Sequence, residues 1–213
     1  MLKVKIIPVT PFQQNCTLVW CDETMKGAVI DAGGDVDLIL SAIREQGVEV
    51  EKILITHGHL DHAGGAAELA EKLEIPIIGP QKADKFWIDQ IPDNCRNYGL
   101  PVGRSFDPDQ WLEGGDTVSF GNISMDVYFC PGHTPGHVIF HQKEAGYAFV
   151  GDVLFQGSIG RTDFPRGDHA TLISSIKTQL WPLGNDTKFI SGHGAISTFG
   201  AERASNPFVG DGV

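Results

Sequence analysis

His57, His59, Asp61 and His62 fall within six residues, in the run Thr56-His-Gly-His-Leu-Asp-His62. In extended backbone, residues i and i+2 point the same way, so His57 and His59 can close on one cation. Asp61 and His62 enter a turn that heads into a helix and project to a neighbouring point. Imidazole nitrogens and carboxylate oxygens, with no thiolate among them, suit Zn, Fe or Mn rather than a structural cysteine-rich zinc. Three further groups stand in similar glycine turns: His133 in Cys130-Pro-Gly-His-Thr-Pro-Gly-His137, Asp152 in Gly151-Asp152, and His193 in Ser191-Gly-His-Gly194. These seven donors are too many for one tetrahedral ion and suit two ions that share a bridging carboxylate. A lone histidine is ordinarily a satisfied surface or core residue, but solvated loops rarely collect four such groups in six residues.

The elements that must position these groups are strands, because each group follows an apolar run. Lys52–Thr56 leads into His57, a strand ending near Phe129 precedes His133, Ala148–Val150 precedes Asp152, and Phe189-Ile190 precedes His193. Ligand sites of open α/β sheets lie beyond strand ends, in short loops that aim a few side chains at one point. Further strands are predicted over Val4–Val9, Cys16–Trp20, Ala28–Ile30, Pro76–Ile78, Thr117–Phe120, Ile123–Phe129, Val138–His141, Tyr147–Val150 and Lys188–Ile190. Val36, Ile39, Leu40 and Ile43 have helical spacing within Asp35–Gln46, and Gly47 stops that helix. Ala63–Leu73 and Ala170–Leu180 read as two more helices. Residues Asp89–Asp109, rich in Pro, Gly, Asn and Asp, read as an irregular surface insertion, and Gly200–Val213 as loop or a short helix. Alternating strands and helices make the chain α/β.

Composition narrows the function classes. Sixteen Lys plus Arg against 27 Asp plus Glu give a net charge of −11, which argues against gripping nucleic acid or an anionic membrane. Cys16, Cys21, Cys95 and Cys130 form no C-x-x-C pair and read as free thiols in a reducing compartment. The first ten residues are too short an apolar stretch for a signal peptide, and no run approaches the ~18 apolar residues of a membrane helix. The expectation is a cytoplasmic protein forming one domain over residues 1–213.

Thr56–Gly65, Pro131–His137, Gly151-Asp152 and Gly192-His193-Gly194 together resemble the metallo-β-lactamase superfamily. Within it, Phe155–Asp168 and Thr198–Phe208 are similar to the short, one-domain type II glyoxalases, the hydroxyacylglutathione hydrolases. The resemblance covers nearly the whole chain. It implies a four-layer αβ/βα sandwich, with two mixed β-sheets face to face, flanked by helices, and the metals at one edge. It assigns His57, His59 and His133 to a first metal and Asp61, His62 and His193 to a second, with Asp152 bridging them. Larger family members carry a C-terminal helical domain that contacts glutathione, and this sequence has no counterpart to it.

The activity so implied is hydrolysis of a thioester, S-lactoylglutathione foremost, to the acid and free thiol. Two ions sharing one water lower its pKa towards ~7 and make hydroxide available at neutral pH. A thiol has a pKa near ~8.5, so the thiolate leaves with little help from a general acid. Asp61 could orient the hydroxide as well as ligate. Zinc is the first expectation for both ions, with iron or manganese as alternatives. Glutathione is anionic, and Arg161 and Arg166 flank the loop after Asp152, so both are candidate substrate contacts, against a structural pairing of Arg161 with Asp163. Persulfide dioxygenases are the rival reading. They share the fold and a Gly-Arg-Thr-Asp stretch like Gly160–Asp163, but hold one iron on the counterparts of His57, His133 and Asp152. A non-enzymatic metal-binding scaffold ranks last, since all seven donors are intact. His137 is read as supporting a ligand or its turn, His141 as an ordinary strand residue, His169 as surface or cap, and Cys130 as packing.

Overall fold

A computed structural model describes residues 1–213. Its layering follows from strands that are apolar on both faces. In β2 (Gln14–Cys21), which pairs antiparallel with β1 (Leu2–Val9), Leu18 and Trp20 point one way and Val19 and Cys21 the other, and all four are buried. A strand buried on both sides needs a layer on each. β3 (Lys26–Ile30), β4 (Glu49–Leu54) and β5 (Ile77–Ile78) complete a mixed five-stranded sheet in the order β1-β2-β3-β4-β5, with β3, β4 and β5 parallel.

β6 (Thr117–Phe120), β7 (Ile123–Phe129), β8 (Val138–Gln142) and β9 (Tyr147–Gly151) follow as antiparallel neighbours. A small hairpin of β10 (Leu154–Phe155) and β11 (Ser158–Ile159) stands apart. β12 (Lys188–Ser191) then pairs parallel with β9, and β13 (Ser197–Thr198) closes the edge of a six-stranded sheet ordered β13-β12-β9-β8-β7-β6.

Val19, Ile30 and Leu54 of the first sheet meet Phe120, Met125, Phe140 and Phe149 of the second. On the outer face of the first sheet, Ile39 and Ile43 of α1 (Val36–Gln46) cover Leu18, Val29 and Ile53. On the outer face of the second, Leu172, Ile176 and Leu180 cover Ile139, Ala148 and Val150. The result is the four-layer αβ/βα sandwich that the family resemblance implies.

The helices differ from the sequence expectation in three places. The single helix expected over Ala63–Leu73 is two, α2 (Leu60–Ala63) and α3 (Ala66–Leu73). Gly65 donates its N–H sideways to the Ala32 carbonyl (2.9 Å) rather than along the helix, which breaks the run. The insertion expected to be irregular over Asp89–Asp109 is corrected: after α4 (Lys85–Ile88) comes α5 (Ile91–Asn97), started by Pro92 and anchored by buried Ile91 and Cys95. The helix expected over Ala170–Leu180 is α6 (His169–Ser175), capped by the Asp168 carboxylate accepting from Thr171 N–H, and it continues as a wider turn over Ile176–Leu180. The tail holds α7 (Phe199–Ser205). All four cysteines are buried free thiols, and no helix is long and apolar enough to cross a membrane.

Candidate metal centre

The C-terminal ends of β4, β9 and β12 open at one edge of the sandwich, and the loop after β7 reaches the same place. The two sheets are tied there by Val138 N–H donating to the Thr56 carbonyl (2.8 Å) and Asn15 N–H to the Gly192 carbonyl (2.7 Å). Each turn therefore delivers its polar side chain to a common point.

Outer hydrogen bonds set the tautomers there. His133 Nδ1 lies 2.7 Å from the Arg161 carbonyl, which can only accept, so the proton is on Nδ1 and Nε2 keeps a lone pair. Thr56 Oγ1 donates to Asp31 Oδ2 (2.7 Å) and so accepts from His57 Nδ1 (3.1 Å), leaving His57 Nε2 a lone pair too. Both lone pairs lie close to His59 Nδ1, at 3.0 Å from His133 Nε2 and 3.1 Å from His57 Nε2. One proton cannot satisfy three converging acceptors, whereas one cation can. Burial holds the His57 and His133 rings below their usual pKa, and His59 at about 3, so all three are neutral, as metal ligands must be.

A second group lies beside the first. His62 Nδ1 donates to Asp31 Oδ2 (2.8 Å), and His193 Nδ1 to the Phe12 carbonyl (3.1 Å). Their Nε2 atoms face Asp61 Oδ2, at 3.8 Å from His62 and 3.1 Å from His193. Asp152 stands between the groups: Oδ1 is 3.3 Å from His62 Nε2, while Oδ2 is 3.6 Å from His133 Nε2 and 3.8 Å from His193 Nε2. His62 Nε2 and Asp152 Oδ1 are buried without a hydrogen-bond partner. Burial opposes charge on His62 and His193, yet Asp152 and Asp61 outweigh it and raise both pKa values. The pocket thus calls for positive charge, and its all-nitrogen-and-oxygen donor set fits divalent ions.

All seven candidate ligands are brought together. Three supports were not singled out from the sequence. Asp31 locks His62 and, by accepting from Thr56 N–H (2.7 Å), the start of the histidine loop. Gln14 reaches to 3.4 Å from His62 Nδ1. Asp84 receives hydrogen bonds from two of the loops. His137 backs the centre as expected, stacking on His57 at 4.6 Å and accepting Asp152 N–H (3.1 Å). Cys130 is fully buried among apolar neighbours.

A cavity of about 580 Å³ opens onto His59, Asp61, His133, Asp152 and His193. The rest of its wall includes Phe12, Trp87, Gln90, Asn94, Tyr98 and Phe164, drawn largely from α4 and α5 and their flanks. Arg161 lines it, with its guanidinium 4.1 Å over the Phe164 ring and paired with both Asp163 carboxylate oxygens (2.7 and 2.6 Å). Arg166 does not line it and sits 3.9 Å over the Phe86 ring.

The metallo-β-lactamase superfamily profile matches residues 9–193. Hydroxyacylglutathione hydrolase GloC of Haemophilus influenzae is 46% identical over 209 residues, 98% of each chain. Of solved structures, the BLEG-1 B3 metallo-β-lactamase superposes with a TM-score of 0.90 at 32% identity, covering 97% of this chain and 99% of its own. TTHA1623, solved in a di-iron-bound form, gives 0.87 at 35% identity, covering 96% and 99%. The chain belongs to the metallo-β-lactamase superfamily and is a hydrolase of that fold.

Proposed function

We propose that the chain hydrolyses a thioester, S-lactoylglutathione or a related 2-hydroxyacyl thioester, using two divalent ions, zinc foremost. The observation that carries this reading is the pair of donor groups spanned by Asp152 at the floor of the cavity. His57, His59 and His133 would hold one ion, Asp61, His62 and His193 the other, and Asp152 both. Such ions, when bound, supply Lewis acidity and a water of lowered pKa.

The chain's own groups do the rest. Asp61 lines the cavity and would accept a hydrogen bond from the attacking water. Phe12, Trp87 and Phe164 shield the acyl group from bulk solvent, and Gln90 and Asn94 offer amides to the thiol half. Arg161 lines the cavity and would meet a glutathione carboxylate, whereas Arg166 on Phe86 would reach substrate only by leaving that ring. The departing thiolate needs little protonation, which suits a wall made mainly of aromatic and amide groups. The 46% identical hydroxyacylglutathione hydrolase supports the glutathione assignment.

The test is release of free thiol from S-lactoylglutathione by the purified metal-loaded protein. Turnover that disappears in His193→Ala supports the proposal. Absence of thiol release, with oxygen consumed in the presence of glutathione persulfide, rejects it.

A further inference from the structure

Asp84 is a fully buried carboxylate about which the proposed chemistry says nothing. It ends the short turn Lys82–Asp84 and forms no ion pair with any Lys, Arg or His. Its partners are instead three donors. Oδ2 accepts from Gly58 N–H (2.8 Å) and from Thr134 Oγ1 (2.8 Å), and Oδ1 accepts from Gly136 N–H (2.5 Å). Gly58 lies between His57 and His59, and Thr134 and Gly136 follow His133. The three donors therefore belong to the two loops that carry the three-imidazole group, and one carboxylate grips both.

Close packing makes this grip specific. A Cβ on Gly136 would lie 2.5 Å from Asp84 N and 2.8 Å from its Oδ1, and one on Gly58 2.8 Å from the Asp84 carbonyl. Both loops thus approach the Asp84 segment at distances that only glycine permits. Gln81 N–H also donates to the Gly136 carbonyl (3.0 Å), fixing the segment to the second loop. The Asp61, His62 and His193 side chains have no hydrogen bond to Asp84. His62 takes its outer support from Asp31 and His193 from the Phe12 carbonyl.

We infer that Asp84 is a positioning residue for the first metal alone: it sets the separation of the His57–His59 loop from the His133 loop, and so the affinity of the three-histidine site. The inference rests on reading His57, His59 and His133 as one ion's ligands. Asn at position 84 keeps the shape but turns one acceptor into a donor that faces another donor. Outer supports of metal ligands are typically worth about 10–100-fold in metal affinity, and Asp84→Asn falls in that range.

The experiment is zinc affinity of the full-length protein by chelator competition, with folding followed by circular dichroism. His193→Ala isolates the first site and His133→Ala the second. Asp84→Asn should weaken zinc about tenfold or more in the His193→Ala background and less than about threefold in the His133→Ala background. Thr134→Val removes one of the three donors without touching Asp84. It should weaken the first site in the same direction, by less, and it carries the test if Asp84→Asn does not fold. Equal weakening in both backgrounds would make Asp84 a general stability residue, and unchanged affinity in the first would remove its role; either overturns the inference. Wild-type protein that takes up fewer than two zinc ions would instead overturn the two-ion reading on which it rests.

Discussion

Gly192 is the position where one added methyl group should disable the centre. A Cβ there would lie 2.1 Å from Asp152 Oδ1 and 2.4 Å from His62 Cε1, when real Cβ contacts stay beyond 3.0 Å. Its φ is one that alanine adopts freely, so the effect of Gly192→Ala is steric rather than conformational. The Asp152 carboxylate must retreat by about 1 Å, and it is the one side chain that faces both donor groups. Misplacement of a reacting centre by about 1 Å can cost on the order of a hundredfold in rate, and overpacking of this kind costs about 1–3 kcal/mol of stability. We expect Gly192→Ala to lower kcat/KM for S-lactoylglutathione about a hundredfold and to reduce bound metal. Gly194 is the control: it has φ +79° but nothing within 4 Å of an added Cβ. Gly194→Ala should cost about 1–2 kcal/mol of backbone strain and spare metal content. Thiol release, metal analysis and urea unfolding on both variants read these effects. Wild-type turnover and metal in Gly192→Ala, or equal damage from both substitutions, would show that the close approach of Gly192 to Asp152 does not hold the centre in place.

Asp152→Ala should lose both metals or nearly all turnover, measured by metal analysis and thiol release, since its carboxylate faces His133 of one group and His62 and His193 of the other. Arg161→Ala should raise KM for a glutathione thioester more than for a neutral thioester. Arg166→Ala should change stability by about 0.5–1 kcal/mol through loss of its Phe86 contact, with little change in either KM. Burial raises Asp84 to about 6 from the 3.8 of a free carboxylate, against hydrogen bonds from Gly58, Thr134 and Gly136. The folded state then holds a proton that the unfolded state has lost between about pH 4 and 6. The stability this proton confers is complete below about pH 4 and gone above about pH 6, so metal-free wild type should fall relative to Asp84→Asn across that window in urea unfolding.

The donors were legible in the sequence because chemistry and topology coincide: each follows an apolar run, and turns at strand ends hold few residues. His57, Asp152 and His193 lie one to three residues beyond β4, β9 and β12, so fixing the strand nearly fixes the side chain. The cavity wall was not legible. Phe12 comes from the turn after β1, while Trp87, Gln90, Asn94 and Tyr98 come from α4, α5 and their flanks. These helices are too short for a 3.6-residue period to stand out, and Pro92, which starts α5, reads locally as a breaker. Nothing in the neighbouring residues marks Asp31 and Asp84 as supports, because what distinguishes them is burial against segments 25 and 26 residues away. The β10–β11 hairpin has only two residues per strand, below the length at which alternation can show.

Two ions and a thioester are proposed to share one site. Metal analysis and thiol release on one preparation of the wild-type protein test this most directly. The expected result is about two divalent ions per chain, stoichiometric release of thiol from S-lactoylglutathione, and loss of about one ion together with turnover in His193→Ala. A wild-type protein with a single iron that consumes oxygen with glutathione persulfide and leaves the thioester intact would contradict it.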